Sequence, residues 1–112
     1  MVVCVPVTDD GMIYPRWGRA ARVAIADVRA GAFASWREFD VRWDAQHDVG
    51  TEGGHHARVA GFLREHRVEV VVAHHMAPPM QHMLGQMGIG VRLEASGDAR
   101  RAVLAMTAAR VN

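Results

Sequence analysis

The segment from Val68 to Ala73 places the strongest constraint on the fold, because it is a continuous apolar run interrupted only by Glu69. A short run of this kind predicts a strand that is buried on both faces, as in a parallel sheet. Pro78 and Pro79 then stand where the first turn of a helix can begin. The pattern therefore predicts an α/β domain in which helices cover a largely buried sheet.

The remaining segments predict the rest of this domain. Strands are expected at Val2–Val7, Arg22–Val28, Phe33–Trp43, Val68–Ala73 and Ile89–Leu93. Helical spacing of apolar residues begins at His55 and again at Pro78, and Ser96 or Asp98 can cap a last helix. The predicted order β-β-β-α-β-α-β-α gives a mixed five-stranded sheet with about three helices, in a ribonuclease H-like layout. A chain of 112 residues is expected to form a single domain over 1–112.

Turn-forming residues separate these elements. Arg29-Ala30-Gly31 predicts a tight hairpin connection in which Gly31 takes a positive φ. The polar stretch Asp44–Gly53 predicts a surface loop, which includes His47. Gly88 fits the position just past the end of the helix that precedes it.

Composition argues against several functional classes. The formal net charge of +1 argues against a nucleic-acid partner. Cys4 is the single cysteine and is expected to be buried in the first strand, so neither an internal disulfide nor a CxxC metal site is predicted. No apolar run reaches the roughly 18 residues of a membrane span, and no signal-peptide pattern begins the sequence. A cytoplasmic protein without membrane or nucleic-acid partners is expected.

Two histidine pairs lie where the predicted chain passes into helices. His74 and His75 directly follow the buried strand, at the sheet edge where open α/β folds form ligand sites. His55 and His56 open the first predicted helix, and a helix N-terminus favours anionic ligands. Imidazole nitrogen binds Zn, Cu, Fe and Ni, and the thioether of Met76 would add a soft donor. The four histidines are therefore candidate metal ligands, with a transition-metal ion as the simplest occupant.

Other candidate residues have ordinary structural explanations as well. Arg16-Trp17-Gly18-Arg19 places two guanidinium groups beside an aromatic ring, which fits either an anion-binding loop or a solvated one. Trp36 and Trp43 are expected to pack within the third strand. His66, at the end of a predicted helix, and His82, on the outer face of the next, are expected to be solvent-exposed.

Five segments, taken in order, carry a resemblance to a known family: Val3–Asp9, Pro15–Ala20, Ala24–Val28 with Gly31, Val70–Ala73 and Gly88–Val91. The chain resembles the dinitrogenase iron-molybdenum cofactor biosynthesis family, which includes NifX- and NafY-like proteins and stand-alone members. Pro15–Ala20 is similar to the family loop Pro-His-Phe-Gly-Arg-Ala, with Arg16 and Trp17 in place of His and Phe. Ala73-His74-His75-Met76-Ala77 replaces a turn that is usually rich in glycine.

The resemblance implies a ribonuclease H-like fold without nuclease activity, and no catalytic residues are expected. It also implies that the chain binds or carries an iron-molybdenum cofactor, a precursor of it, or another metal-sulfur cluster, with cofactor-assembly proteins as partners. Such a cluster is anionic, which agrees with arginines and helix N-termini near the predicted loops. The residues expected to contact the cluster are Arg16, Trp17, Arg19, His55, His56, His74, His75 and Met76.

Three functions therefore stay open. The first is a non-catalytic binding or carrier protein for a metal or metal-sulfur cluster. The second is a metal-dependent phosphodiester hydrolase, which would use Asp9, Asp10 and the same histidines. Such chemistry needs several converging carboxylates, and Asp27 is the next candidate, so the predicted set is incomplete. The third is a protein-interaction module whose histidines only decorate the surface.

Overall fold

The computed structural model describes residues 1–46 and 50–108, which form a mixed five-stranded sheet covered by helices. The strands are β1 (Val2–Pro6), β2 (Arg22–Arg29), β3 (Ala32–Asp40), β4 (Val70–Val72) and β5 (Gly90–Arg92). The helices are α1 (Trp43–Gln46), α2 (Glu52–Glu65), α3 (Pro78–Gln86) and α4 (Ala99–Met106), and a 3₁₀ turn spans Trp17–Arg19. The predicted α/β class and mixed sheet are confirmed.

Strand β1 lies in the middle of the sheet, whose strand order is β3-β2-β1-β4-β5. It is antiparallel to β2, where Cys4 pairs with Ile25, and parallel to β4, where Cys4 pairs with Val71. β5 is parallel to β4. The segment Val70–Val72 is buried as predicted, although β4 is an interior strand and not the central one. The carboxyl ends of β1, β4 and β5 therefore share one edge of the sheet, which we call the carboxyl edge.

Hydrophobic clusters lie on both faces of the sheet, because successive side chains of a strand point in opposite directions. In β1, Cys4 belongs to the cluster under α2 and α3, whereas Val3 and Val5 belong to the cluster under α4. The first cluster also contains Leu63 of α2 and Leu84 of α3, both fully buried. This double burial explains why the strands consist of nearly continuous apolar residues.

Positive φ angles occur at both of the glycines that were predicted to need them. Gly31 has a φ of 78° and follows Ala30, whose φ is 52°. Two successive positive values are the backbone of a I′ turn, which suits the twist of a hairpin. Gly88 has a φ of 76° directly after Met87, the C-cap of α3. The hairpin turn and the end of this helix are therefore confirmed.

A short helix, α1, takes the place of the end of the predicted third strand. β3 stops at Asp40, and Trp43 begins α1, so the prediction that Trp43 packs within a strand was wrong. Arg42 has a φ of 56°, which turns the chain, and the N–H of Trp43 donates to the carbonyl of Ala20 at 3.0 Å. The described residues thus contain four α-helices where about three were predicted. None of these helices is long and apolar enough to cross a membrane.

Helix α2 begins one turn earlier than predicted. Thr51 is its N-cap, and the side-chain oxygen of Thr51 accepts a hydrogen bond from the N–H of Gly54 at 2.9 Å. The cap, and not the histidine pair, therefore sets the start of the helix, because it satisfies a backbone donor of the first turn. His55 is the fourth helical residue. His47 of the preceding loop lies outside the described residues.

Arg67 occupies a backbone position that favours glycine. It follows α2 with a φ of 55°, and the N–H of Val68 donates to the carbonyl of Leu63 at 3.0 Å. Gly88 ends α3 in the same way, since the N–H of Ile89 donates to the carbonyl of Leu84 at 3.0 Å. Both helices thus end in a Schellman motif, but only the second has the residue that adopts a left-handed conformation without strain.

We expect Arg67→Gly to stabilise the protein by about 0.5–1 kcal/mol, because relief of the left-handed strain outweighs the greater freedom of glycine in the unfolded chain. The matched control is Gly88→Ala, which should lower stability by about 1 kcal/mol. An added Cβ at Gly88 would have no atom within 4 Å, so strain alone would be measured there. Urea unfolding followed by circular dichroism measures both changes. A loss of stability in Arg67→Gly would contradict the expectation.

Candidate functional site

The loop before β2 and the loop after β4 lie side by side at the carboxyl edge. Arg16 and His75 form a parallel β-bridge, and the N–H of Trp17 donates to the carbonyl of His75 at 3.4 Å. The preceding histidine, His74, is exposed, and its carbonyl accepts a hydrogen bond from the backbone N–H of Glu94 at 3.0 Å. The structure therefore brings one predicted histidine pair against the predicted anion-binding loop.

A surface depression of about 340 Å³ lies between these two loops. Its lining residues are Arg16, Trp17, Gly18, Arg19, His75, Met76 and Ala77. Arg16, Arg19 and His75 are exposed, whereas Trp17 and Met76 are only 1% and 2% exposed. Five of the eight predicted cluster contacts thus line one depression, three of them as exposed groups and two as buried wall.

The depression carries positive charge from two arginines. Neither Arg16 nor Arg19 forms an ion pair with another residue in the described parts of the chain. The lining residues within those parts also include no Asp or Glu. Guanidinium groups that lack a carboxylate partner can donate several hydrogen bonds to an anion. His75 adds an exposed imidazole, which can coordinate a metal when it is neutral.

Trp17 is a core residue, although the sequence placed it in a loop that would be either anion-binding or solvated. Its ring packs edge-on against Trp43, with a centroid distance of 5.2 Å and an interplanar angle of 67°. Its indole Nε1 is buried and has no hydrogen-bond partner in 1–46 or 50–108. The hydrophobic gain from burying two indole rings explains both the burial of Trp17 and the helical turn at Trp43. A ligand in the depression would therefore meet the edge of the core at this residue.

His55 lies behind the depression and not among its lining residues. It is 3% exposed, and its Nε2 lies 2.9 Å from the carbonyl oxygen of Gly18. Because a carbonyl can only accept, Nε2 carries the hydrogen and donates it. An ideal Cβ on Gly18 would lie 3.7 Å from this Nε2, so the helix and the 3₁₀ turn are in close contact. His56, on the same helix, is partly exposed and also outside the lining.

The candidate ligands do not surround a single ion. Within residues 1–46 and 50–108, no group of three His, Cys, Asp or Glu side chains is placed to hold a metal ion. The carboxylates considered for hydrolysis are also separated. Asp9 and Asp10 follow β1 at the carboxyl edge, whereas Asp27 pairs with Val2 at the opposite end of the sheet. The described residues therefore assemble neither the four histidines nor the three carboxylates around one centre.

The N-terminus of α3 contributes little to anion binding, although helix N-termini in general were expected to favour an anionic cluster. Pro78 and Pro79 are its first two residues and have no amide hydrogen. The N–H of Met80, the third residue, donates to the carbonyl of Ala77 at 3.0 Å. The first three helical positions therefore offer no N–H to a ligand. Positive charge at the depression comes chiefly from the arginine side chains.

The remaining candidate histidines and the cysteine lie away from this site. His82 is exposed on α3, as predicted. His66 was expected in solvent, but its ring packs against Phe39 and Phe62 at centroid distances of 4.7 and 4.5 Å. Cys4 is fully buried, as predicted, and this burial raises the pKa of its thiol well above the usual value. Its reactive thiolate form is thus strongly disfavoured.

Sequence reasoning missed the contribution of Ala77 to the depression, as well as a neighbouring hollow. This second depression, of about 250 Å³, shares Arg19 with the first. Its lining residues are Val7, Thr8, Asp9, Tyr14, Arg19, Ala21, Arg22 and Asp44. No local signal could indicate a hollow that is assembled from separate loops.

The chain matches a known protein family over nearly its whole length. A family model described as dinitrogenase iron-molybdenum cofactor matches residues 1–109. No curated protein matches the chain.

Three solved structures share the fold. The crystal structure of PH0822 has 16% identity and a TM-score of 0.74, over 94% of this chain and 87% of that one. The apo form of the orange protein from Desulfovibrio gigas has 23% identity and a TM-score of 0.73, over 91% and 82%. The NMR structure of a putative NifB protein from Thermotoga has 22% identity and a TM-score of 0.65, over 91% and 83%. At these identities the likeness concerns the fold alone.

Proposed function

Because the chain belongs to the dinitrogenase iron-molybdenum cofactor family, we propose that it is a non-catalytic binding and carrier protein for an anionic metal-sulfur cluster. The proposed cargo is an iron-molybdenum cofactor, a precursor of it, or a related cluster of iron or molybdenum. The proposed partners are proteins that assemble or receive such a cluster. We place the binding site in the depression between the loop before β2 and the loop after β4.

The observation that carries this proposal is the grouping of two arginines and a histidine in a depression whose lining, among the residues that the structure describes, has no carboxylate. Arg16 and Arg19 can donate hydrogen bonds to the sulfide or oxo groups of a cluster, and His75 can supply one metal ligand. A preassembled cluster brings its own bridging sulfides, so it needs fewer protein ligands than a bare ion does. A site with one exposed imidazole and two guanidinium groups therefore fits a cluster better than it fits a single ion.

The other predicted contact residues would have weaker or more indirect contacts with the cluster. Trp17 and Met76 would form the apolar wall, and the buried Met76 thioether would have to be uncovered before it could act as a ligand. His56 and His74 would be secondary ligands, because neither lines the depression. We also propose the ribonuclease H-like layout for the fold, which agrees with three antiparallel strands followed by two parallel ones.

Hydrolysis and plain protein interaction are the competing functions. Hydrolysis would need metal-binding carboxylates near one point, but Asp27 lies at the end of the sheet away from Asp9 and Asp10. A plain interaction module would need no positively charged depression. The carrier function therefore accounts for more of the observed geometry than either alternative does.

Anaerobic reconstitution tests the proposal. Protein purified without a histidine tag is incubated with iron, sulfide and molybdate, and the small molecules are then removed. We expect a coloured protein that retains metal and sulfide, with a clearly lower metal content in His75→Ala. His82→Ala is the matched control, because His82 is also exposed but lies outside the depression. A colourless, metal-free wild-type protein would show that the proposed function is wrong.

A further inference from the structure

The 3₁₀ turn Trp17–Arg19, which contains Arg19 and directly follows Arg16, is attached to the rest of the fold on both sides. On one side, the N–H of Trp17 donates to the carbonyl of His75 at 3.4 Å. On the other side, Nε2 of His55 donates to the carbonyl of Gly18 at 2.9 Å. Gly18 lies between Trp17 and Arg19, so the bond from α2 acts on the middle of the turn.

The hydrogen bond from His55 is partly buried and joins residues that are distant in the sequence. The histidine is 3% exposed on the first turns of α2, and its partner is a backbone carbonyl 37 positions earlier in the chain. A backbone carbonyl has no freedom to move without moving the peptide planes next to it. The planes on either side of Gly18 join it to Trp17 and to Arg19, so a shift of this carbonyl would redirect the arginine side chain.

The same bond argues against His55 as a metal ligand through Nε2. A ring nitrogen that donates its hydrogen to a carbonyl has no lone pair for a metal. Coordination through this atom would require the bond to Gly18 to break. His55 therefore contacts the protein backbone through Nε2, whereas the side chain of His75 is exposed in the depression.

We infer that His55 is a positioning residue, whose hydrogen bond to Gly18 holds the 3₁₀ turn so that Arg16 and Arg19 both face the bound cargo. This inference rests on the proposed function, since it concerns the geometry of the same depression. It replaces the prediction that His55 coordinates the metal. The role requires a hydrogen-bond donor at the place of Nε2, and it does not require an imidazole.

Two substitutions separate the donor from the imidazole. His55→Gln keeps an N–H donor near the position of Nε2, whereas His55→Leu keeps bulk but removes the donor. Tetrathiomolybdate, a coloured molybdenum-sulfur dianion, serves as the probe in a visible titration. We expect His55→Leu to raise the Kd about fivefold or more, as the loss of one hydrogen bond predicts, and His55→Gln to stay within about twofold of wild type.

Amide hydrogen exchange of the cargo-free protein provides a second readout. We expect the N–H groups of Trp17 and Arg19 to exchange faster in His55→Leu and at the wild-type rate in His55→Gln. His82→Leu is the control for an exposed histidine outside the depression. If His55→Leu does not fold, His55→Asn replaces it. It then serves as the donor-free variant, because its shorter amide cannot reach the carbonyl of Gly18.

Each result bears on the inference in a defined way. Weak probe binding and fast exchange in the donor-free variant, with recovery of both in His55→Gln, support it. Wild-type binding by the donor-free variant overturns the inference and leaves the proposed function intact. Equal losses in His55→Gln and His55→Leu also overturn it, since they would point to a need for imidazole itself. A wild-type protein that does not bind the probe overturns both.

Discussion

Replacement of Trp17 by alanine is expected to lower the free energy of unfolding by about 3–5 kcal/mol, the usual cost of removing a large aromatic side chain from a core. Trp17 is 1% exposed and packs edge-on against Trp43, so the substitution would leave a cavity beside a second aromatic ring. Small domains have a total stability of about 5–15 kcal/mol, and the variant would therefore retain only part of it. Urea unfolding followed by far-ultraviolet circular dichroism measures the change.

Trp36→Ala is the matched control for this experiment. Trp36 lies in β3, is only partly buried, and donates its indole N–H to Glu38 at 2.9 Å. Its removal should cost clearly less, because less apolar surface is exposed to water. Similar losses for the two variants would contradict the placement of Trp17 in the core. A loss below about 1 kcal/mol for Trp17→Ala would be too small for a buried tryptophan and would favour a solvated loop at this position.

The second large effect is expected for cargo binding by the double variant Arg16→Gln with Arg19→Gln. A hydrogen bond to a charged group contributes about 1.5–3 kcal/mol, so the loss of both guanidinium groups should raise the Kd for tetrathiomolybdate at least about tenfold. Glutamine keeps polarity and much of the length of arginine, so the fold should be preserved. The measurement is the same visible titration, performed anaerobically.

A second double variant, Arg64→Gln with Arg101→Gln, controls for net charge. Both of these arginines are exposed and lie outside the depression, and their substitution removes the same charge. Binding by this control should change little at an ionic strength of about 0.15 M, where distant charges are largely screened. Equal weakening in the two double variants would mean that the anion responds to overall charge, and that the depression is not its site.

Much of the fold follows from local sequence signals. The buried run at β4, the prolines at the start of α3 and the glycine after it all predict their elements correctly, because each signal acts within a few residues. The end of β3 could not be predicted in this way. Trp43 has a strong strand propensity, and it becomes helical because its ring packs against Trp17, which is distant in the sequence. Tertiary packing outweighs local preference at this position.

The types of residue at the site could be predicted from the sequence, but their positions and contacts could not. The sequence indicates that arginines and histidines border the same edge of the sheet. It does not show that the N–H of Trp17 reaches the carbonyl of His75, or that His55 turns inward to Gly18. Two adjacent, chemically identical residues illustrate the difficulty. His75 lines the depression and His74 does not, because the β-bridge to Arg16 fixes which residue of the pair faces the loop.

The β-bridge between Arg16 and His75 also has a thermodynamic consequence. The residues that line the depression come from two parts of the chain that only the folded sheet brings together. An unfolded chain therefore has no equivalent site, and a cargo that binds here binds the native state alone. Such binding adds stability in proportion to the logarithm of one plus the ratio of free ligand concentration to Kd, about 2.7 kcal/mol when the ligand is at a hundred times its Kd. Binding and folding are thus linked equilibria, and a protein that carries the proposed cargo would be most resistant to unfolding while it is loaded.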